Sequence, residues 1–133
     1  MDSFKKLKKK KTLLVDDDVL IRDSLCMAFL SRGCNIRAVE SAEEGIEVLR
    51  QEQFDIIVSD FMLPGMNGME FFKVTGTLQT GSVHVLISGH AQANELEDKE
   101  NLGIHDFVEK PFTVMYLVDT LAGLIDNREL ESN

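Results

Sequence analysis

Short apolar runs alternate with amphipathic stretches of helical period along this chain, and this alternation constrains the fold more than any other feature. It favours a parallel sheet with helices on both faces and right-handed crossovers. The predicted strands are Leu13–Val15, Asn35–Val39, Phe54–Ser59, Val83–Ile87 and Ile104–Val108. The predicted helices are Val19–Ser31, Ser41–Gln51, a helix from about Met69, Gln92–Leu102 and Thr113–Asp126. The sequence therefore predicts an α/β fold of five βα units, (βα)5, with a five-stranded parallel sheet.

A chain of 133 residues fits one domain around a single core. Hydrophobic residues make up 44% and charged residues 28%, the balance of an ordinary soluble globular protein. No apolar run approaches the roughly 18 residues of a membrane span, and the charged start lacks the apolar segment of a secretory signal. We expect a cytoplasmic protein with a basic, frayed leader over residues 1–11, a domain over 12–127 and a short tail over 128–133.

Charge is distributed unevenly along the chain. The first twelve residues carry six lysines against one aspartate, whereas the rest carries eight basic and 22 acidic residues. An acidic body of this kind disfavours direct DNA binding. The lysine run from Lys5 to Lys11 is interpreted as a solvated leader, with contact to anionic lipid or polyanions as the alternative.

The two cysteines lack the spacing of metal ligands. Cys26 falls on the apolar side of a predicted helix, where cysteine behaves as a small hydrophobic residue. We expect both Cys26 and Cys34 to be reduced, and a disulfide between them is the less favoured alternative in a cytosolic chain.

Polar side chains follow four of the predicted strands at the point where each strand ends. Asp16 and Asp17 follow the first, Asp60 the third, Ser88 the fourth and Lys110 the fifth. The carboxyl ends of parallel strands meet at one edge of a sheet, which is where open α/β sheets bind ligands. Three carboxylates, a hydroxyl and an ammonium group are therefore expected to converge there.

These residue types suit a phosphoryl group and a divalent cation. Adjacent carboxylates such as Asp16 and Asp17 repel each other, and a hard cation with oxygen ligands relieves that repulsion. Magnesium takes one or two protein carboxylates and shares its other positions with water and phosphate oxygens. Each residue alone has an ordinary reading as a cap, a turn residue or a surface lysine, and we assign Asp18 to helix capping. Their joint occurrence at four strand ends favours a site for a phosphoryl group and a cation.

With these residues the chain resembles a receiver domain of the two-component response-regulator family over nearly its whole length. That family has an acidic pair after the first strand, a phosphoacceptor aspartate after the third, Ser or Thr after the fourth and Lys-Pro after the fifth. The resemblance implies a flavodoxin-like fold. The matching residues are Asp16 with Asp17, Asp60, the loop Leu63–Gly68, Ser88 with Gly89, and Lys110 with Pro111 and Phe112.

The resemblance implies a signalling module that is switched by phosphorylation and is not an enzyme toward other substrates. Asp60 would accept a phosphoryl group from a sensor histidine kinase or a histidine phosphotransfer protein. Mg²⁺ would be held by Asp17, Asp60 and the backbone carbonyl of Met62, with Asp16 acting through water. Lys110 would neutralise the phosphoryl oxygens.

The resemblance also implies how the phosphorylated state is detected. The Ser88 hydroxyl would move to the phosphoryl group, and Phe107 would turn into the vacated space. Core packing of Phe107 without switching is the less favoured alternative. The Lys110–Pro111 bond is expected to be cis. Met62 and His90 occupy variable positions that flank the phosphoryl group in such domains, and we expect their bulk to slow hydrolysis. His90 could instead orient the attacking water.

Output is expected through contact with a downstream protein, because residues 127–133 leave no room for a DNA-binding domain unless the chain is a fragment. The predicted last helix has no Lys or Arg, which disfavours dimers built on acidic-to-basic pairs. We therefore expect a monomer, or a weak dimer that forms on phosphorylation. The alternatives are a magnesium-dependent phosphatase or phosphotransferase with an aspartyl-phosphate intermediate, and a related domain that is never phosphorylated. The first normally carries its nucleophile on the first strand, whereas Asp60 ends the third.

Overall fold

The structure is a computed structural model that describes residues 2–89 and 103–132. Its strands are β1 (Lys11–Val15), β2 (Asn35–Val39), β3 (Ile56–Asp60), β4 (Val83–Ser88) and β5 (Asp106–Glu109). Its helices are α1 (Ser3–Leu7), α2 (Val19–Ser31), α3 (Ala42–Gln51), α4 (Gly68–Leu78) and α5 (Val114–Ser132).

The five strands form one parallel sheet in the order β2-β1-β3-β4-β5, which confirms the predicted (βα)5, flavodoxin-like architecture. The strand order reverses between β1 and β3, and ligands bind such sheets at the carboxyl ends of the strands beside this point. Register brings the strand ends level, since Val15 pairs with Ser59, Asp60 with Ile87 and Ser88 with Glu109.

Helices cover both faces because side chains alternate along each strand. On β1, Leu14 enters one core cluster with residues of α1, α2 and α5, while Leu13 and Val15 enter another with residues of α3 and α4. The predicted helix Gln92–Leu102 lies outside the described residues.

The start of the chain differs from the frayed leader expected from its lysines. Asp2 caps α1 by accepting from the Phe4 amide, and Phe4 and Leu7 are buried in the first core cluster. Two apolar side chains three residues apart lie on the same side of a helix, and their burial anchors the basic segment. The frayed leader was therefore a wrong expectation.

The end of the chain also differs from its prediction, because α5 continues through Ser132 instead of ending near Asp126. Lys10 pairs with Glu129, so the N-terminal segment contacts the part of this helix that lies beyond Asp126. Cys26 and Cys34 are both free thiols. Among the helices of the described ranges, none is long and apolar enough to cross a membrane.

Candidate phosphoryl and cation site

The turn after β1 presents a buried carboxylate. Asp16 is completely buried, and its Oδ1 accepts a hydrogen bond from the Asp18 amide at 2.9 Å. Its Oδ2 is also buried but has no hydrogen-bond partner among residues 2–89 and 103–132. Asp18 caps α2, as predicted, by accepting from the Leu20 amide at 2.8 Å. This turn therefore directs one unsatisfied carboxylate oxygen toward the end of the sheet.

Arg22 supports the same turn, a role that the sequence did not predict. Its Nη1 donates to the backbone carbonyl of Asp16 at 2.9 Å. Arg22 lies one helical turn beyond the Asp18 cap, and this position is the only hint that the sequence carries. The contact holds the backbone between Asp16 and Asp17.

Asp60 ends β3 with only 4% of its surface exposed. Its Oδ2 accepts from Lys110 Nζ at 2.8 Å, and its Oδ1 accepts from the Met62 amide at 3.3 Å. A salt bridge between a buried carboxylate and a partly exposed ammonium group is short and directional. The structure thus brings together the third and fifth strand ends, as the sequence predicts.

The three aspartates form one cluster. Asp16, Asp17 and Asp60 each place a carboxylate oxygen so that all lie within 4.8 Å of one another. Burial, together with the charges of Asp60 and Asp17, raises the pKa of Asp16 to about 6 against the opposing hydrogen bond from Asp18 and charge of Lys110. Burial lowers the pKa of Lys110, but the hydrogen bond and charge of Asp60, with the charge of Asp16, outweigh it and raise that pKa overall.

This cluster fits a hard divalent cation. The donors are carboxylate oxygens, which Mg²⁺ prefers, and within residues 2–89 and 103–132 the buried Asp16 Oδ2 lacks the partner that a buried polar atom ordinarily has. A cation would also offset the burial and the repulsion from Asp60 and Asp17 that together raise the Asp16 pKa.

Ser88 ends β4 with its side chain completely buried. The Lys110 amide donates to the Ser88 carbonyl at 2.8 Å, so the two strand ends are held side by side. The Ser88 hydroxyl is another buried polar atom without a partner among the described residues. A buried hydroxyl beside Lys110 is available to a ligand that carries acceptor oxygens.

Helix α4 begins directly against the backbone of Asp60. The Gly68 amide donates to the Phe61 carbonyl at 2.9 Å, and a Cβ on Gly68 would overlap the Asp60 carbonyl oxygen. Asn67 and Glu70 form a capping box that fixes this helix start. In the sequence Gly68 reads only as one of several turn residues, whereas the structure shows that it permits a close approach to Asp60.

The remaining predicted residues occupy varied positions around the cluster. Met62 is 59% exposed, and the Lys110–Pro111 peptide bond is cis. Phe107 is partly buried and packs against the core cluster on the α3 and α4 face. His90 lies outside the described residues.

An apolar groove of about 540 Å³ adjoins the site. Leu20 and Ile21 of α2 line one side, while Phe112 and Val114 line the other. Lys110 belongs to both the groove and the aspartate cluster. An occupant of this groove would therefore lie beside Asp60.

Comparison with known proteins agrees with this geometry. The family model of the response regulator receiver domain matches residues 12–122. The chain belongs to the response regulator receiver domain family. The matched range contains every strand end that forms the site, and the receiver fold predicted from the sequence is confirmed.

Individual relatives support the same assignment. The receiver is 31% identical to the response regulator protein FleR of Pseudomonas aeruginosa over 112 residues, covering 84% of this chain and 24% of FleR. A solved CheY-like response regulator receiver domain protein from Methanospirillum hungatei JF-1 is 27% identical, with a TM-score of 0.85 over 92% of this chain and 98% of that one. Full-length FixJ from B. japonicum is 28% identical, with a TM-score of 0.82 over 93% of this chain and 61% of FixJ.

The receiver spans about a quarter of the length of FleR. It likewise covers 22% of GlrR, a transcriptional regulatory protein of Escherichia coli K12, at 30% identity over 74% of this chain. The shared part of these proteins is the receiver domain.

Proposed function

We propose that Asp60 accepts a phosphoryl group and that the aspartyl phosphate is the signalling state of this receiver. The observation that supports this proposal most strongly is the placement of Asp60 between a cationic partner and an acidic pair. Its Oδ2 bonds to Lys110, and its carboxylate lies within the cluster formed with Asp16 and Asp17. A carboxylate in such a setting is buried, oriented and close to groups that neutralise added negative charge.

The reaction forms one bond and breaks one. A carboxylate oxygen of Asp60 attacks phosphorus in a phosphohistidine, the P–N bond breaks, and the departing imidazole nitrogen takes up a proton. Phosphoryl transfer depends mainly on positioning and charge neutralisation. Lys110 neutralises one phosphoryl oxygen, and the Ser88 hydroxyl donates to another.

Mg²⁺ is the cation whose chemistry the three aspartates fit, and it would supply positive charge to the transferred oxygens. Asp16, Asp17 and Asp60 would hold it. The Met62 carbonyl is the further ligand implied by the family. Arg22 keeps the backbone that carries Asp16 and Asp17 in place.

The switch would act through Ser88. Its hydroxyl has no partner among the described residues and would gain a hydrogen bond to a phosphoryl group, and this difference between the two states can shift a conformational equilibrium. We extend the proposal to Phe107, which pairs across the sheet with Leu86 and is only partly buried. Movement of the Phe107 ring from its partly exposed position into the core would alter the surface of the domain when Asp60 is phosphorylated.

The phosphoryl donor is proposed to be a helix that bears a phosphohistidine, as in a histidine kinase or phosphotransfer protein. Its docking place is the groove between α2 and the segment after β5, because Lys110 lines both groove and site. Leu20 on the rim is 74% exposed, and an exposed apolar rim favours an apolar helix face as the occupant.

Acetyl phosphate with Mg²⁺ tests the proposal because this small donor needs no docking groove. Intact mass should show one added phosphoryl group on the wild type and none on Asp60→Asn. Asp23→Asn makes the same chemical change at an exposed position of α2 and should be labelled like the wild type. Labelling that persists in Asp60→Asn would place the acceptor elsewhere.

The same sample distinguishes a receiver from a phosphatase. A receiver turns over only its own aspartyl phosphate, so p-nitrophenyl phosphate should not be hydrolysed beyond one equivalent. Sustained, Asp60-dependent release of p-nitrophenol would favour the enzyme instead.

A further inference from the structure

The N-terminal segment lies outside the part of the chain that matches the receiver family, which begins at residue 12. It nevertheless packs on α5. Ser3 Oγ donates to Asp119 Oδ1 at 2.6 Å, Lys6 pairs with Asp126, and Lys10 Nζ lies 3.4 Å from Glu129 Oε1. Buried Leu7 joins Leu121 and Ile125 of α5 in the same core cluster. Both polar and apolar contacts therefore attach α1 to the last helix.

The same N-terminal segment also contacts the carboxyl end of α2. The Phe4 ring meets Phe29 edge to face, with 5.8 Å between centroids and an interplanar angle of 84°. The Arg32 guanidinium lies 5.0 Å from the centroid of the Phe4 ring. Cys34 Sγ donates to the Phe4 carbonyl at 3.3 Å, which holds the turn after α2 on the same segment.

We call residues 2–10 the terminal clip, since they connect α2 and α5 at the end of the sheet opposite the site. β1 begins at Lys11, directly after the clip, and Asp16 follows its other end. This placement accounts for the lysines at positions 6 and 10. They are partners of acidic residues on α5 and not parts of a solvated leader.

The amino ends of the same two helices border the apolar groove. Leu20 and Ile21 of α2 line this groove, and so does Val114, the first residue of α5. Leu25 lines the groove and also belongs to the core cluster that contains Phe4 and Leu7. α2 is about 20 Å long at 1.5 Å per residue and behaves as a stiff rod. A constraint on the carboxyl end of such a rod therefore limits the position of its amino end.

We propose that the terminal clip sets the separation of α2 and α5 and thereby the width of the groove that admits the phosphohistidine donor. The identity of the occupant rests on the proposed function, whereas the link between clip and groove rests on the contacts alone. The clip then controls access by a protein donor and leaves the chemistry at Asp60 unchanged.

Matched pairs of lysine substitutions test the link. Lys6→Gln with Lys10→Gln removes the two ion pairs to α5, whereas Lys5→Gln with Lys9→Gln removes the same charge from exposed positions of the segment. In methyl NMR spectra, the first pair should shift the signals of Leu20, Ile21 and Val114, and the second should leave them in place. Exchanging the charges, with Lys6→Glu and Asp126→Lys, should restore the wild-type signals.

A lower midpoint of thermal unfolding with unchanged groove signals would show that the clip is purely structural and would overturn the proposal. Equal shifts in both pairs would overturn it as well. Failure of acetyl phosphate to label the wild type would refute the proposed function but not the clip.

A purified, autophosphorylated histidine kinase domain that labels the wild type tests the consequence for the donor. It should label the Lys6→Gln, Lys10→Gln variant more slowly, while labelling by acetyl phosphate stays equal. Equal rates from the kinase, despite shifted groove signals, would show that groove width does not control donor access.

Discussion

Two buried polar regions of this receiver are built in opposite ways. At the amino end of β3, the Gln79 side chain is fully buried and satisfied. Its Oε1 accepts from the Phe54 amide at 3.0 Å, and its Nε2 donates to the carbonyls of Leu49 at 3.0 Å and Glu52 at 3.1 Å. At the carboxyl end of the sheet, Asp16 Oδ2 and the Ser88 hydroxyl are equally buried but have no partner among the described residues.

The contrast applies to the Gln79 side chain and the two site atoms, because His84 Nε2 and Thr75 Oγ1 near Gln79 are also buried without a partner among the described residues. The Gln79 network joins the ends of α3 and α4 to the start of β3, and a satisfied buried network makes an arrangement specific. The acidic site contains polar atoms that lack partners in the described part of the chain, which destabilises the ligand-free fold but leaves donors and acceptors for a ligand. Removal of the polar side-chain groups in the two regions should therefore change stability in opposite directions.

The largest effect is expected at the Gln79 network. Gln79→Ala leaves the Phe54 amide and two carbonyls buried without their partner, which should lower the free energy of unfolding by about 3 kcal/mol. Gln53→Ala, at an exposed position, should change it by less than about 0.5 kcal/mol. Urea unfolding monitored by circular dichroism measures both. Equal, small changes in the two variants would remove the contrast between the regions.

A backbone change at the acidic site should come next. Gly68→Ala places a methyl group against the Asp60 carbonyl and near Leu86, so it should lower the free energy of unfolding by about 2 kcal/mol and slow labelling by acetyl phosphate. The same change at Gly76, where a Cβ meets no described atom within 4 Å, should stabilise the protein by up to about 1 kcal/mol. If both variants are stabilised and labelled normally, the close approach of α4 to Asp60 is not important.

His84 provides a pH test at the Gln79 end of the sheet. Burial, aided by the charges of His105 and Arg128, lowers the pKa of His84 to about 4. Its Nδ1 contacts the Gly103 carbonyl at 3.2 Å, and its ring stacks on Phe72. His84 resists protonation in the folded state, whereas in the unfolded chain it is protonated below about pH 6.5. Its contribution to the free energy of unfolding is therefore complete above that pH and falls as pH decreases toward 4.

The wild type should therefore lose about 2 kcal/mol more than His84→Gln between pH 6.5 and pH 5. Urea unfolding at the two pH values measures the difference between the slopes. Parallel slopes for the two proteins would show that His84 is not the residue that resists protonation.

The smallest effect has the opposite sign and belongs to the acidic site. The raised pKa of Asp16 means that its charged form destabilises the fold at neutral pH, and this destabilisation disappears as pH falls from about 6 toward 3.8. Asp16→Asn should therefore raise the free energy of unfolding by about 1 kcal/mol at pH 7.5 without Mg²⁺. Added Mg²⁺ should reduce the difference, because binding stabilises the wild type. Destabilisation by Asp16→Asn in the absence of Mg²⁺ would contradict the contrast.

The sequence was sufficient for the sheet and for most of the site. Alternating patterns predict the strands, and a parallel sheet brings strand ends such as Asp16, Asp60 and Lys110 to one edge whatever the details of packing. Capping by Asp18 followed from local chemistry alone. These inferences depend on neighbours in the sequence or on the topology of the sheet.

Other features depend on contacts between distant parts of the chain. The lysine run predicts a solvated segment, so the burial of Phe4 and Leu7 was not expected. Their burial depends on the surface formed by α2 and α5. Gly68 has no sequence signal for its approach to Asp60. The role of Gln79 appears only when three backbone segments meet around it.

Locating the acyl phosphate tests most directly whether Asp60, at the carboxyl end of the sheet, receives the phosphoryl group. Borohydride reduces an aspartyl phosphate to homoserine, which peptide mass spectrometry detects as a mass change at one residue. After acetyl phosphate and Mg²⁺, we predict homoserine at position 60 and at no other aspartate. Homoserine at Asp16 or Asp17, or none at position 60 in a protein that carries the phosphoryl mass, would contradict the account.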